Sequence, residues 1–356
     1  MRPGRWHRPT TTAVQTAEVD ALLEAVARAL DGSVEHGPLS VERQRIAGRS
    51  NIYVVCPAAL GADQRRWVVK QPHTGWSQDD VDNPLSAHEE FLALQRLRAH
   101  FDRQGVPFRV PEPVAYLQEL DAFVMEYVAG PTVKQLLNYG SVPRPAALLD
   151  GLSAAGSFLR CLHALEPLPV VDVDLREEAQ QVLAVAEERL LPLGLSLPDR
   201  VRRTLAELPF STVRSPQVLL HGDFGPANLI LAGDGSVVGL DPALSSVGHP
   251  EDDLVRFTVL VAGVIRLAPE LVVRPVAAVR RRLEDRLLHS YYQSSTRPAL
   301  FELRYLHQLA RRWRRLREMA EQQQGTLQPA RLRIIGAQMR LLMVDTERRL
   351  VASLGG

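Results

Sequence analysis

The chain of 356 residues is poor in cysteine, lysine, aromatic residues and long apolar runs. Its two cysteines, Cys56 and Cys161, are too few for a disulfide framework or a cysteine-built metal site. They read as reduced thiols, a single bridge being the one other arrangement they allow. The longest apolar run, Phe257 to Ile265, falls well short of the roughly 18 residues a membrane span needs. The N-terminus is basic (Arg2, Arg5, Arg8) and then polar. The helical run behind it carries Asp20 and Glu24, which is not the apolar core of a secretory signal, so the chain is expected in the cytoplasm. A Gly-x-x-x-x-Gly-Lys-Ser/Thr segment is missing, which excludes a P-loop enzyme. Net charge is only +1 and 46% of residues are hydrophobic, which excludes global disorder. The 23 Gly and 25 Pro follow no period, which excludes a collagen-like chain.

Of the 42 basic residues only Lys70 and Lys134 are lysine. In a chain that uses arginine wherever arginine will serve, a retained lysine marks a place where a compact ammonium is wanted. The charge is also unevenly spread. From Arg256 onward there are 19 Arg against 8 acids, whereas the first 255 residues hold 23 basic groups against 33 acids.

Length corresponds to about two average domains. Residues 1–16 read as a loose tail, followed by a helix from Thr16 to Leu30 that ends at Asp31-Gly32. Strand-like runs follow at Glu42–Ala47, Asn51–Cys56 and Arg66–Gln71, the last two separated by a turn at Leu60–Asp63. After Asn83-Pro84, the spacing of Phe91, Leu94 and Leu97 predicts a helix. Val114–Leu117 and Phe123–Tyr127 read as further strands, and Gly130-Pro131 breaks the chain. Beyond it the texture is helical, at 148–165, 177–190 and from Asp252 onward. Short β-type runs interrupt it at 218–220, 229–231 and 237–240. The outline is a sheet-rich first domain over 17–130 with one main helix, then a larger helical domain over 131–356.

The segment His221-Gly-Asp-Phe-Gly-Pro-Ala-Asn228 carries the chemistry. Asp223 and Asn228 lie in one loop after a strand, and a hairpin then leads to Asp241. Hard oxygens at strand ends suit divalent cations and phosphate. One Asp or one Asn alone would read as a turn cap; the joint spacing favours a site.

This segment resembles the catalytic loop of the aminoglycoside phosphotransferase-like kinases, the small-molecule branch of the protein-kinase fold. His221, Gly222, Asp223 and Asn228 match the family pattern His-Gly-Asp, four residues, Asn. Asp241 matches the metal-binding Asp, and Gly248 to Leu254 matches a following Gly-Asp-Pro-x-x-Asp-Leu stretch with His249 in place of Asp. Pro242 stands where the family often has Trp. The resemblance covers Glu42 to Leu254. It implies an α+β, bilobal protein-kinase-like fold, with a small antiparallel-sheet N-lobe and a larger, mostly helical C-lobe. It implies ATP or GTP with Mg2+ as cofactors. Lys70 would hold the nucleotide phosphates and pair with Glu90, Glu89 being the runner-up. The backbone of Glu126, Tyr127 and Val128 would bond adenine. Asn228 and Asp241 would hold metal, Asp223 would be the base, and Ser50 in the turn 47–51 would donate to phosphate. His163 fits the family's Leu-His usage and reads as a packing residue.

Only 11 residues separate Asp241 from Asp253. That is too short for the activation segment that docks peptides in protein kinases, so the expected acceptor is a hydroxyl-bearing small molecule: a sugar, amino alcohol or related metabolite. Clusters such as Arg280-Arg281-Arg282 and Arg311-Arg312-Trp313-Arg314-Arg315 argue against a polycationic aminoglycoside and toward an anionic acceptor, unless they form a solvated outer face. Glu177-Glu178 and Glu187-Glu188 could supply an opposing acidic patch. A catalytically silent nucleotide-binding regulator, or an aminoglycoside antibiotic kinase, is the alternative on the same fold. Nucleic acid is not expected as a partner, because the Arg-rich helix lacks interleaved stacking aromatics.

Overall fold

The computed structural model describes residues 13–30, 38–47, 50–58, 65–72, 86–138, 145–265, 276–294, 297–321 and 328–355. Gly48-Arg49, Asp31-Gly32, Asn83-Pro84 and the Leu60–Asp63 turn lie outside the described residues. The chain divides into two compact units, Met1–Thr132 with Asn228–Ser245, and Val133–Ala227 with Ser246–Gly356.

Unit 1 opens with helix α1 (Ala13–Leu30), which starts three residues before the expected Thr16. Strands β1 (Leu39–Ala47), β2 (Ser50–Pro57) and β3 (Trp67–Pro72) follow, then α2 (Ala87–Gln104), β4 (Phe108–Arg109), β5 (Pro113–Leu117) and β6 (Ala122–Glu126). Five of these strands make an antiparallel sheet in the order β1-β2-β3-β6-β5. Alternation along the strands sorts their side chains. Tyr53, Val55, Trp67, Val69, Ala122 and Val124 form one buried face, covered by Leu22, Ala25, Val26 and Leu30 of α1. Lys70 and its cross-strand neighbour Phe123 therefore point to the other face, where Phe91 of α2 lies 6.3 Å from Phe123 between ring centres.

In unit 2 the chain forms α3 (Val133–Asn138), α4 (Pro145–His163), β7 (Val170–Asp174), α5 (Leu175–Leu190), α6 (Asp199–Ala206), β8 (Thr212–Pro216) and β9 (Val218–Leu219). It re-enters unit 1 as the hairpin β10 (Leu229–Leu231) and β11 (Val237–Gly239). It then completes unit 2 with β12 (Val247–Gly248), α7 (Pro250–Ile265), α8 (Val276–Tyr292), α9 (Ala299–Glu321) and α10 (Gln328–Leu354). The division at 130 thus needs a correction. Residues after 131 do not all belong to the helical unit, because β11 pairs in parallel with β4, Val237 opposite Phe108, and carries Asn228–Ser245 into unit 1. Among the described residues no helix is long and apolar enough to cross a membrane, and Cys56 and Cys161 are both free thiols.

The C-terminal arginines divide: Arg281, Arg282, Arg311 and Arg315 are exposed, as in the solvated face the sequence offered, while others turn inward. Arg280, Arg297 and Arg349 are ion-paired with Glu284, Glu302 and Asp345 inside the α8–α9–α10 packing. Tyr305 adds a hydrogen bond to Glu284 at 3.0 Å. These arginines are internal struts. Trp313 is 1% exposed and is therefore a core residue of α9. The acidic patch expected on α5 is also spent in part. Glu178 takes Arg304 at 2.6 Å, and Arg304 reaches Asp252 at 2.9 Å.

Candidate functional site

In unit 1 the site is a charged triad in which Lys70 and Glu90 are buried and Asp241 is partly open. Lys70 Nζ lies 2.5 Å from Glu90 Oε1 and 2.9 Å from Asp241 Oδ1. The start of α2 decides which glutamate does this. Ser86 caps the helix, its Oγ accepting from Glu89 N at 3.2 Å while Glu89 Oε2 accepts from Ser86 N at 2.8 Å. This capping box occupies Glu89 at the surface, and those hydrogen bonds hold its carboxyl below the ordinary value. Glu90, one residue on, is rotated about 100° around the helix and faces the sheet.

Two carboxylates share one ammonium here, Glu90 shielded from water and Asp241 partly open to it. Burial alone would lower the Lys70 pKa, but Asp241 and Glu90 outweigh it and push it up, so the ammonium stays charged. Burial pushes the Glu90 carboxyl up to about 7, and Asp241 adds to this against the pull of Lys70. With both carboxylates ionised the triad carries one uncompensated negative charge, which a bound cation would favour.

Asp241 is placed by the hairpin. Leu229 pairs with Gly239, and the next rung out is Leu240 N donating to Asn228 O at 2.8 Å. Asn228 and Asp241 therefore stand at the same end of the ladder. Asp241 has φ +54°, a left-handed conformation that costs a non-glycine residue of order 1 kcal/mol. Ser50 is the first residue of β2 and is buried; Gly48 and Arg49 of the same turn lie outside the described residues.

At the end of β6, Glu126 N donates to Glu112 O and Tyr127 N to Arg66 O, so those two N–H groups are committed within the protein. Among the described residues Val128 N–H has no such partner. A cavity of about 330 Å³ lies beside this segment, lined by Arg65, Arg66, Glu112, Glu126, Tyr127 and Ala129.

In unit 2 the loop after β9 rests on one face of α7. Asp253 accepts His221 N at 2.6 Å and Gly222 N at 3.1 Å. Arg256 ion-pairs with Asp223. Phe257 lies 5.0 Å from Phe224 between ring centres, and Leu260 abuts Gly225. Positions 253, 256, 257 and 260 are the i, i+3, i+4 and i+7 stripe of a helix. Gly222 has φ +80°, which its lack of a Cβ permits. Gly248 allows close passage, since a Cβ there would sit 2.7 Å from Leu220 Cδ1.

Asp253 is anchored from behind. His163 Nε2 is 3.2 Å from Asp253 Oδ2, and His163 Nδ1 is 2.8 Å from the Tyr291 hydroxyl. Burial alone would raise the Asp253 carboxyl. The hydrogen bond and charge of His163, with those of His221, outweigh it and hold it below the ordinary range. An ionised carboxylate only accepts, so Nε2 donates to Asp253, while Nδ1 shares a hydrogen bond with the Tyr291 hydroxyl. His163 is thus a link between α8 and the loop, more than the packing residue expected. His249, the departure from the family pattern, donates its N–H to Asp252 Oδ2 and contacts Ser215 Oγ at 3.0 Å.

The structure brings Lys70, Glu90 and Asp241 together, puts Asn228 on the same hairpin, and places Asp223 in its own constellation in unit 2. Sequence reasoning missed Arg256 and Tyr291. The stripe 253–256–257–260 was the available signal for Arg256, hidden because arginine is common throughout; for Tyr291 the sequence held none.

The sequence matches the profile of the APH phosphotransferase enzyme family over residues 48–286. A choline/ethanolamine kinase family protein from Mesorhizobium loti superposes with TM-score 0.50 at 18% identity, covering 96% of this chain and 99% of that one. Macrolide 2'-phosphotransferase MphH from Brachybacterium faecium gives TM-score 0.49 at 18% identity, covering 91% and 98%. A comparison with curated proteins returns no match. The Mesorhizobium likeness shows the α+β, protein-kinase-like fold, and the profile spans well over half the sequence. The chain belongs to the phosphotransferase enzyme family.

Proposed function

We propose that this phosphotransferase uses ATP, or GTP read through the same backbone groups, to phosphorylate a hydroxyl of a small molecule, a sugar, amino alcohol or related metabolite. The observation that carries the reading is the Lys70–Glu90–Asp241 triad. An ammonium held by a buried carboxylate is a fixed positive point for nucleotide phosphates, and the surplus negative charge beside it suits a cation. Asn228 and Asp241 fit a magnesium ion. They are hard oxygens at one hairpin end, and magnesium takes one or two such side chains with phosphate and water for the rest. Among the described residues no cluster of three His, Cys, Asp or Glu side chains competes for it. Bound there, the metal would neutralise phosphate charge.

The residues then have separate tasks. Lys70, fixed by Glu90, positions the phosphates. Val128 N–H and the neighbouring backbone receive the base. Asp223 orients the acceptor hydroxyl and accepts its proton as the new oxygen–phosphorus bond forms and the bond to the nucleoside diphosphate breaks. Asp253, held by His163 and Tyr291, keeps the loop that carries Asp223 in shape.

A nucleotide-consumption screen against sugars, amino alcohols, nucleosides and aminoglycosides tests this. Transfer to a hydroxyl is expected, with Asp223→Asn keeping nucleotide affinity within about threefold and losing two or more orders of magnitude in turnover. Wild-type turnover in that variant would reassign the base. No consumption across the panel would favour the silent regulator.

A further inference from the structure

The ion pair between Arg256 and Asp223 is one of several attachments of the loop to α7, and it is the one that engages the proposed base. The stripe on α7 that supports the loop includes Asp253, Phe257 and Leu260, and these secure it through two backbone hydrogen bonds and apolar contacts. Arg256 adds a guanidinium to the same face and aims it at the one carboxylate that must engage substrate. Both side chains are open to solvent, 41% and 46% exposed, so this is a surface of unit 2 and not a core strut like Arg297.

The other charges on this end of α7 are occupied elsewhere. Glu251 accepts the Tyr292 hydroxyl at 2.9 Å. Asp252 takes Arg304 and His249 N, and Asp253 takes the loop. Among the described residues Asp223 is the only carboxylate ion-paired with Arg256, and Arg256 Nε is buried without a hydrogen-bond partner. An acceptor hydroxyl that draws Asp223 toward itself leaves this guanidinium without a counter-ion.

We infer that Arg256 is the specificity determinant for the acceptor, receiving an anionic group, a carboxylate or a phosphate, carried near the reacting hydroxyl. The anion replaces Asp223 on the guanidinium and releases the base in the same motion. A planar guanidinium fork suits both kinds of oxyanion. An ammonium-bearing acceptor meets repulsion at the same place. The inference rests on the phosphotransferase reading for its meaning, while its test does not depend on turnover.

The test is calorimetric titration of the full chain, without nucleotide, using inorganic phosphate and acetate as probes. Wild type, Asp223→Asn, Arg256→Gln and the double variant are compared. The two single changes should act in opposite directions. Asp223→Asn frees the guanidinium and tightens anion binding about tenfold. Arg256→Gln weakens it at least as much, and the double variant behaves like Arg256→Gln. Preference for phosphate or for acetate identifies the class of oxyanion. Glucose, glucosamine, glucuronate and glucose 6-phosphate, titrated in parallel, should rank anion over neutral over amine in the wild type and lose that order in Arg256→Gln. Equal affinity in Arg256→Gln, or no saturable binding by Asp223→Asn, overturns the inference. Absence of nucleotide turnover by the wild type counts against the proposed function alone and leaves the anion result standing.

Discussion

Two ionic clusters in this protein, each largely shielded from water, join carboxylates to cationic side chains and differ in their balance. In the α8–α10 cluster, Glu284, Glu302 and Asp345 face Arg280, Arg297 and Arg349, three against three. At its rim Asp285 and Arg281 add one of each sign. In the sheet unit, two carboxylates face a single ammonium. A balanced cluster repays the desolvation of its members among themselves and has nothing left to attract a ligand. An unbalanced one keeps a field that a cation or a substrate can complete. Ion pairing alone therefore does not mark a functional site; the residual charge does.

The comparison can be broken most sharply at Lys70. Lys70→Met should reduce kcat/KM by two to three orders of magnitude with the fold intact by circular dichroism. A loss under tenfold would place the phosphate contact elsewhere. In the balanced cluster Glu302→Ala leaves Arg297 on Glu284 and Arg349 on Asp345 but with one positive charge in surplus, and should cost about 3 kcal/mol, read by denaturant unfolding, with activity per folded molecule unchanged. Activity falling in proportion would show that the struts reach the chemistry.

A third test adds a charge instead of removing one. His307 on α9 is pushed down to about 4, by burial first and then by Arg311 and Arg304. The unfolded chain takes up this proton near pH 6.5, so the folded state is penalised as pH falls from there toward 4. Stability should drop by roughly 2 kcal/mol over that window, and His307→Gln should flatten the drop. The smallest effect separates neighbours. Glu89→Ala loses the capping box and costs about 1 kcal/mol, with turnover retained. Glu90→Ala unpins Lys70 and should lose turnover. Equal kinetic losses in the two would contradict the division of labour at the start of α2.

What the sequence disclosed and what it concealed follow from the range of the interactions involved. Lys70, Asp223, Asn228 and Asp241 sit in local patterns, a β-strand alternation and a loop of fixed spacing, and these are visible in a single chain. Glu89 and Glu90 are adjacent, and only the cap geometry at Ser86 separates them. The membership of Asn228–Ser245 in the sheet unit depends on a two-residue parallel pairing with β4, more than 120 positions away and without a pattern of its own. Strands β7 and β8 are short and half-exposed, so neither showed a clear apolar alternation. The arginine surplus concealed the rest. With arginine at so many positions, composition cannot distinguish the strut at 297 from the guanidinium against Asp223, and only their partners do.

The stripe on α7 has a consequence for how this protein can change. Five loop residues, His221 to Gly225, meet four teeth of one rod, so the azimuth of the rod is what the loop inherits. Substituting a single tooth perturbs one attachment. Adding or deleting one residue at Leu254 or Val255 turns every later tooth by about 100° and dislocates the attachments together. This segment should therefore tolerate replacements far better than changes in length.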